Sequence, residues 1–139
     1  MEDIKGFFGK NRFLSNFYPA VIEYEGVKYP TVEHAYQAAK TKDWVLRGHI
    51  SRMETPSQAK RAGATLNPPD WHERSLQTME LLVRLKFTTH TNLKYKLIAT
   101  GLADLEETNE WQDMFWGVCN GVGSNHLGKI LMKVRGELW

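Results

Sequence analysis

The sequence predicts one compact α+β domain over residues 1–139, mainly helical and with a small β-hairpin or sheet. With 139 residues, 42% of them hydrophobic, the chain is long enough to bury one core and too short for two. Helical periodicity and capping signals recur along most of its length, whereas strand-like composition is confined to short stretches. No repeat, low-complexity tract or linker divides the chain, so we expect residues from distant segments to share one site.

The hairpin is predicted where β-branched and aromatic residues flank an acidic-Gly turn, over residues 21–24 and 27–29. Pro30 ends its second strand, and Thr31 follows as an N-cap for a helix over residues 32–40. One face of this helix is spaced for packing. The neighbouring face is a polar stripe that we expect to be available for chemistry, formed by Glu33, Gln37 and Lys40.

Further helices follow from their caps and apolar spacing. Thr55 to Gln58 has the form of a capping box with Pro56 at the first helical position, and Gly63 suits the residue just past that helix. A helix from Asp70 towards Phe87 presents Leu76, Met79, Leu82 and Val83 as core residues, and another spans residues 91–100 up to Gly101. An apolar stripe over residues 127–138 predicts a C-terminal helix, residues 103–107 a brief strand, and residues 109–124 an irregular loop.

Composition and charge exclude several classes of function. The formal net charge of +2 gives too small a field for strong binding to a nucleic-acid backbone. The chain holds no run of 18 apolar residues and no signal-peptide pattern at its start, so we expect a cytoplasmic protein without membrane contact. Cys119 is the single cysteine, and the five histidines lack metal-ligand spacing, so we expect no metal and no cofactor.

Two carboxylates are the candidates for catalysis. Glu33 could activate water or stabilise positive charge on a sugar, although the helix dipole alone would favour an acid in a first turn. Asp113 precedes two large rings and Gly117, a mixture suited to holding a sugar and a base, although a solvated loop aspartate is equally consistent. The sequence does not say whether the two carboxylates meet in space.

Three weaker signals concern phosphate and nucleophiles. Residues 121–125 lead into the C-terminal helix, so their backbone N–H groups could cradle a phosphate; a turn with an N-cap is the alternative. Lys40 could pair with phosphate or with Glu33, but an exposed helical lysine is usually solvated. Cys119 has no histidine placed to activate it, and a buried role is the better interpretation.

Read in order, the chain resembles the NADAR superfamily, named for its link to NAD and ADP-ribose. The blocks that carry this resemblance cover nearly the whole chain and are residues 13–19, 29–40, 85–87 and 99–101, Asp113 with Phe115-Trp116-Gly117, and residues 121–128 and 131–135. Many blocks in the family's order are very hard to obtain by chance. The chain departs from the expected pattern at Val118-Cys119-Asn120, where a more Gly-rich stretch is expected, and this leaves the substrate open.

The resemblance implies a mainly helical α+β fold and an N-glycosidase activity. In the family this activity acts on phosphoribosylated pyrimidine intermediates of riboflavin synthesis and on ADP-ribosylated guanine in nucleic acid. The resemblance places Glu33 and Asp113 in the pocket. We assign both of them catalytic roles, and we assign Trp71 to substrate binding as an additional candidate. The other residues placed in the substrate-binding pocket are Asn16, Phe17, Lys40, Trp116, Gly117, Gly123 and Asn125.

Two rivals remain open. A sensor that binds ADP-ribose or an NAD-derived nucleotide would use the same pocket without turnover, and ligand mass before and after incubation separates it from a glycosidase. A single-strand nucleic-acid binder would use the aromatic residues, which are 12% of the chain, and would show steep salt dependence. Within the enzyme interpretation, the partner is either a small ribosylated nucleotide or an ADP-ribosylated nucleic-acid base, and the oligomeric state is undetermined.

Overall fold

Short strands and longer helices make up the computed structural model, which describes residues 2–139. The strands are β1 (Ile4–Lys5), β2 (Ile22–Tyr24), β3 (Val27–Tyr29), β4 (Leu105–Glu106), β5 (Thr108–Asn109) and β6 (Val118–Cys119). The helices are α1 (Val32–Ala38), α2 (Trp44–Ser51), α3 (Pro56–Gly63), α4 (Trp71–Thr89), α5 (Thr91–Ala99) and α6 (His126–Glu137), with a 3₁₀ helix over Gly9–Leu14. The predicted mainly helical α+β class is confirmed.

The internal contacts divide the described chain into two compact units. The central unit runs from Asn16 to Thr89 and holds β2, β3 and α1 to α4. The terminal unit combines the residues up to Ser15 with those from His90 onward. That residues 1–139 act as a single domain stays a prediction.

The predicted hairpin and the start of α1 are confirmed. Strands β2 and β3 pair antiparallel, with Ile22 opposite Tyr29, and Glu25 and Gly26 turn the chain with φ of 49° and 85°. The Thr31 hydroxyl accepts a hydrogen bond from the His34 amide at 3.1 Å and so caps α1. The helix ends at Ala38, two residues before the predicted end.

Burial of α1 differs from the prediction. Every residue of the helix is buried, because α2, α3, α4 and the hairpin pack around it. Glu33 is 8% exposed and Gln37 5% exposed, so these two members of the polar stripe lie inside the central unit. The sequence pattern predicted the polar stripe but did not predict its burial.

His34 shows how a polar group is accommodated inside this unit. Its Nδ1 lies 2.7 Å from the Thr31 hydroxyl and its Nε2 lies 3.0 Å from the carbonyl oxygen of Met53. A carbonyl only accepts, so Nε2 carries the proton and Nδ1 accepts from the hydroxyl. Burial lowers the pKa of His34, with the Met53 carbonyl partly opposing the shift. The neutral ring thus ties α1 to the segment between α2 and α3.

Helices α3 and α4 follow their predicted signals. The capping box of α3 is complete, since Thr55 accepts from the Gln58 amide and the Gln58 side chain accepts from the Thr55 amide. Gly63 is the last residue of α3 rather than the residue after it. Helix α4 buries Met79 as predicted, but Leu76 is 37% exposed and is not a core residue.

Helix α2 has no counterpart in the sequence-based prediction. Asp43 caps it by accepting from the amides of Val45 and Leu46, at 2.9 and 3.3 Å. Its sequence carries exposed Trp44 and Val45 and only one fully apolar buried residue, Ile50, so its periodicity is weak. The cap was the available local signal.

The terminal unit is built on two short parallel pairings and two predicted helices. Strand β1 pairs with β4, within the predicted strand at residues 103–107, and β5 pairs with β6. Helix α6 packs on β4 and buries Leu127, Ile130, Leu131 and Val134 of the predicted apolar stripe, with Leu138 at its C-cap. Cys119 is buried as expected. No helix within residues 2–139 has the length and apolarity that crossing a membrane requires.

Candidate active site

Glu33 is held at the start of α1 by contacts on both its backbone and its side chain. Its amide donates to the Asn16 carbonyl oxygen at 3.1 Å, and its Oε2 accepts from the Gln37 side-chain amide at 2.6 Å. Removing a carboxylate from water is costly unless hydrogen bonds replace the lost solvation. A solvated first-turn acid, the alternative interpretation, does not describe this buried and oriented group.

Gln37 is in turn positioned by α3. Its Oε1 is buried without a hydrogen-bond partner and lies against Gly63, where any Cβ would overlap the Gln37 side chain. Gly63 therefore supplies the space that lets Gln37 turn its N–H₂ group towards Glu33. The Gly63 carbonyl also accepts from Lys40 Nζ at 3.2 Å. One glycine thus contacts the other two members of the polar stripe, Gln37 and Lys40.

Lys40 lies just beyond α1 among aromatic rings. Its Nζ is 5.9 Å from the Tyr36 ring centroid and 6.0 Å from that of Trp71. Burial lowers the pKa of Lys40, and the Glu33 carboxylate partly opposes the shift. Trp71 also contacts Tyr36, with ring centroids 5.1 Å apart. The structure therefore brings two predicted binding residues together.

Asn16 and Phe17 precede the hairpin in the same unit. Asn16 is 9% exposed, its carbonyl accepts from Glu33, and its side-chain amide lies 3.4 Å from the Met79 sulfur on α4. Phe17, the next residue in the sequence, is half-buried. The backbone of Asn16 is thus adjacent to Glu33, and contact of Asn16 and Phe17 with substrate stays a prediction.

Lys86 is a buried cation that the sequence-based site prediction omitted. It is 1% exposed, with its amine 5.1 Å from the Phe87 ring centroid and 5.7 Å from that of Tyr18. Burial lowers the pKa of Lys86 to about 7. A signal was present, because Met79, Leu82, Val83 and Lys86 share one helical stripe that is otherwise apolar. A lysine in such a stripe indicates a buried amine.

The buried amine makes folding stability depend on pH. Between pH values of about 7 and 10.5, the unfolded chain binds more protons at Lys86 than the folded chain does. The free energy of unfolding therefore rises with pH over this interval. We expect Lys86→Met to remove this pH dependence. Its gain in the free energy of unfolding, relative to the wild type, should be largest near neutral pH. Urea unfolding of both proteins at several pH values from about 7 to 9.5 measures how the free energy of unfolding changes with pH.

Comparing the variant with the wild type cancels the contributions of other titrating groups. Lys60→Met, on an exposed position of α3, is the matched control and should keep the wild-type slope. Equal slopes in the wild type and Lys86→Met would contradict a depressed pKa at Lys86.

In the terminal unit, Asp113 organises its own loop. Its Oδ1 accepts from the amides of Phe115 and Trp116 at 3.2 and 2.9 Å. Asn109 fixes the start of this turn, since its side chain accepts from the Asp113 amide and donates to the Asp113 carbonyl. The Trp116 ring packs beside Phe115, with centroids 4.8 Å apart. One Asp113 oxygen therefore has a structural role, and its catalytic role stays a prediction.

At the predicted phosphate cradle, residues 121–125, the amides of Val122, Ser124 and Asn125 already donate to backbone carbonyls. The amides of Ser124, Asn125, His126 and Leu127 already donate to the carbonyls of Met114, Gly117, Phe115 and Trp116. The Asn125 side chain is used in the same way, accepting from Glu107 and donating to Leu105. These bonds occupy the N–H groups at the start of α6, and a phosphate cradle at residues 121–125 stays a prediction. The turn-and-helix-start alternative describes this segment.

Gly117 and Gly123 also serve the packing of this loop. A Cβ at Gly123 would overlap the Gly117 carbonyl, and a Cβ at Gly117 would overlap Glu107. Close backbone approach explains both glycines. Their direct contact with substrate stays a prediction.

The family model of the NADAR domain matches residues 6–139 of this chain. The chain belongs to the NADAR family. Its match includes every residue placed above in the candidate site.

Two relatives and one solved structure extend the comparison. Riboflavin biosynthesis protein VVA0006 of Vibrio vulnificus (strain YJ016) is 41% identical over 130 residues, 91% of this chain and 35% of that protein. The NADAR chain thus spans about a third of this relative's length. N-glycosidase YbiA of Escherichia coli (strain K12) is 38% identical over 129 residues, 90% of this chain and 80% of YbiA.

The NMR structure of Escherichia coli YbiA superposes with a TM-score of 0.86 at 35% identity. The match covers 99% of this chain and 86% of that one. The NADAR chain therefore shares the YbiA fold.

The candidate residues of this NADAR protein fall in both units. The central unit holds Asn16, Phe17, Glu33, Lys40 and Trp71. The terminal unit holds Asp113, Trp116, Gly117, Gly123 and Asn125. Joint action of Glu33 and Asp113 stays a prediction.

Proposed function

We propose that this NADAR protein is an N-glycosyl hydrolase that cleaves the ribose-to-base C–N bond of a ribosylated nucleotide. The observation that carries the proposal is the buried Glu33 carboxylate, oriented by Gln37 and electrostatically coupled to Lys40. The name N-glycosidase, borne by a relative that this chain matches over 80% of its length, supports the same class of reaction.

The reaction asks for stabilisation of positive charge. As the C–N bond breaks, its electron pair leaves with the base and C1′ acquires oxocarbenium character. A water oxygen then bonds to C1′, and a proton is delivered to the departing base. A carboxylate held in a water-poor environment stabilises such a cation more strongly than a solvated one does. We assign this role to Glu33, together with binding of the ribose hydroxyls.

We also propose the remaining roles, for residues that the resemblance places in the pocket. Asp113 positions water or protonates the leaving base, and these two carboxylate roles can be exchanged between Glu33 and Asp113. Trp116 and Phe17 stack on the base or ribose, while Asn16 and Asn125 donate hydrogen bonds. Lys40 binds the substrate phosphate, and Trp71, whose ring lies beside the Lys40 amine, contributes to the same part of the pocket.

The substrate is proposed as a phosphoribosylaminopyrimidine of the riboflavin-intermediate type or as an ADP-ribosylated guanine. Both carry the same ribose-to-nitrogen bond and an anionic phosphate. The name of the Vibrio relative refers to riboflavin biosynthesis and supports testing the pyrimidine first.

Release of free base tests the proposal. Purified protein is incubated in parallel with the phosphoribosylaminopyrimidine, ADP-ribosylated guanine DNA, NAD and ADP-ribose. The products are then separated and identified by mass spectrometry. A free base from either ribosylated-base substrate supports the glycosidase. Ligands that bind and return intact would contradict hydrolysis and favour a nucleotide sensor.

A further inference from the structure

A cationic cleft opens beside Lys40, within the central unit. Its volume is about 340 Å³, and it lies among the hairpin turn, the segment after α1, and helices α2 and α4. Lys40, Lys42, Arg47 and Arg74 line it, together with one carboxylate, Glu25. Four cations facing one carboxylate leave an excess of positive charge, although the whole chain carries only +2. Such a concentration of charge favours an anionic ligand.

Arg47 is rigidly placed in this cleft. It is 5% exposed, its Nε donates to the Thr41 carbonyl at 2.7 Å, and its Nη1 lies 2.9 Å from Glu25 Oε1. The rings of Tyr24 and Trp44 hold the guanidinium at 5.6 and 5.5 Å from their centroids. These two hydrogen bonds use two of the five N–H donors of the guanidinium. The others can serve a ligand.

Arg74 faces the same cleft from α4. Its guanidinium lies 5.1 Å from the Trp71 ring centroid and forms a bidentate pair with Asp70, at 2.7 and 3.4 Å. Asp70 is exposed, and ion pairs at exposed positions contribute little to stability. Arg74 can therefore exchange this carboxylate for a phosphate, whose oxygens match the guanidinium fork.

Lys40 connects the cleft to the catalytic candidate. It lines the cleft and follows Glu33 by seven residues along α1 and its C-terminal end. Two helical turns correspond to a rise of roughly 11 Å. The Glu33 carboxylate acts electrostatically on the Lys40 amine, so a nucleotide with its anomeric carbon near Glu33 can direct its phosphate towards the cations of the cleft.

We propose that this cleft binds the phosphate of the ribosylated nucleotide, with Arg47, Arg74 and Lys42 as its phosphate-binding cations. This inference rests on the proposed function, because it assigns the anionic part of that substrate. It differs from the phosphate cradle predicted at residues 121–125, where the amides of Val122, Ser124 and Asn125 already donate to backbone carbonyls.

Binding by Arg74→Gln gives the direct test. Ribose 5-phosphate and ADP-ribose are titrated separately into wild-type protein and variants by calorimetry, so no turnover is needed. Loss of a charge-assisted hydrogen-bonding partner should weaken binding roughly 10-fold, and Lys42→Gln combined with Arg74→Gln should weaken it further. The control is Arg61→Gln on α3, which removes the same charge outside the cleft and should bind as the wild type does.

The two probes distinguish the source of the phosphate. A loss of affinity that is confined to ribose 5-phosphate identifies a site for a phosphate monoester. A loss of affinity that is confined to ADP-ribose identifies a site for a diphosphate. Either supports the proposal. Unchanged affinity in the double variant, an equal loss in Arg61→Gln, or a wild-type protein that binds neither probe would overturn it. Circular dichroism verifies that each variant is folded.

Kinetics separates this inference from the proposed function. With a cleavable substrate, Arg74→Gln should raise KM for the phosphorylated form and leave KM for its dephosphorylated form unchanged. Anion binding that weakens in the variant, without base release from any substrate, would retain the cleft and reject the glycosidase. Base release with the same KM for the phosphorylated substrate in the wild type and in Arg74→Gln would retain the glycosidase and reject the cleft as its phosphate site.

Discussion

Glu33→Gln is expected to lower kcat roughly 10²–10³-fold while the protein stays folded. The substitution keeps the shape of the side chain and removes the charge that would stabilise the oxocarbenium. Its amide oxygen can still accept from Gln37, so the packing of α1 is preserved. Because the charge acts mainly in the transition state, kcat should fall more than KM rises. Steady-state base release and thermal unfolding of both proteins measure these effects.

Glu73→Gln is the matched control for this variant. Glu73 is also an acid in the first turn of a helix, α4, but it is exposed. If the helix dipole were the reason for an acid at Glu33, the two substitutions would have similar, small effects on stability and none on turnover. Wild-type turnover in folded Glu33→Gln would remove Glu33 from the mechanism.

Gly63→Ala should have the second largest effect, although the residue lies on α3 rather than α1. A Cβ at this position overlaps the Gln37 side chain, which must then turn away from Glu33. Displacing a reacting group by about 1 Å can reduce turnover up to 10²-fold, so we expect a loss of kcat of roughly 10–10²-fold. The protein should also lose roughly 1–2 kcal/mol of stability, because the added methyl meets the Gln37 Cβ as well, and the higher helix propensity of alanine, about 1 kcal/mol, offsets only part of the overpacking.

Two further variants isolate the path through Gln37. Gln37→Met keeps the length of the side chain but cannot donate to Glu33, so its kcat should fall to a similar extent. Gly136→Ala, on α6 with open space around the added methyl, should keep full turnover and gain roughly 0.5–1 kcal/mol in stability. Full activity in Gln37→Met would show that Gly63 does not act through this hydrogen bond.

Local sequence determined the elements that surround the site. The Glu25-Gly26 turn, the Thr31 cap and the Thr55 capping box each depend on residues within four positions, and each forms as predicted. Helix α2 was missed because its apolar spacing is weak, and only its Asp43 cap marks it. The family was also recognisable from sequence, since its blocks follow one another along the chain.

Tertiary packing decided which polar groups are buried and which cations meet. Glu33 and Gln37 are buried because three helices and the hairpin enclose α1, a property that helical spacing does not contain. The cleft draws Glu25, Arg47 and Arg74 from three different elements. A local pattern specifies hydrogen bonds and faces within a few residues, so the sequence by itself determined the hairpin, the family and every α-helix except α2. Desolvation and charge density depend on all neighbours in space, so only the tertiary structure decided the environment of Glu33 and the position of the cationic cleft.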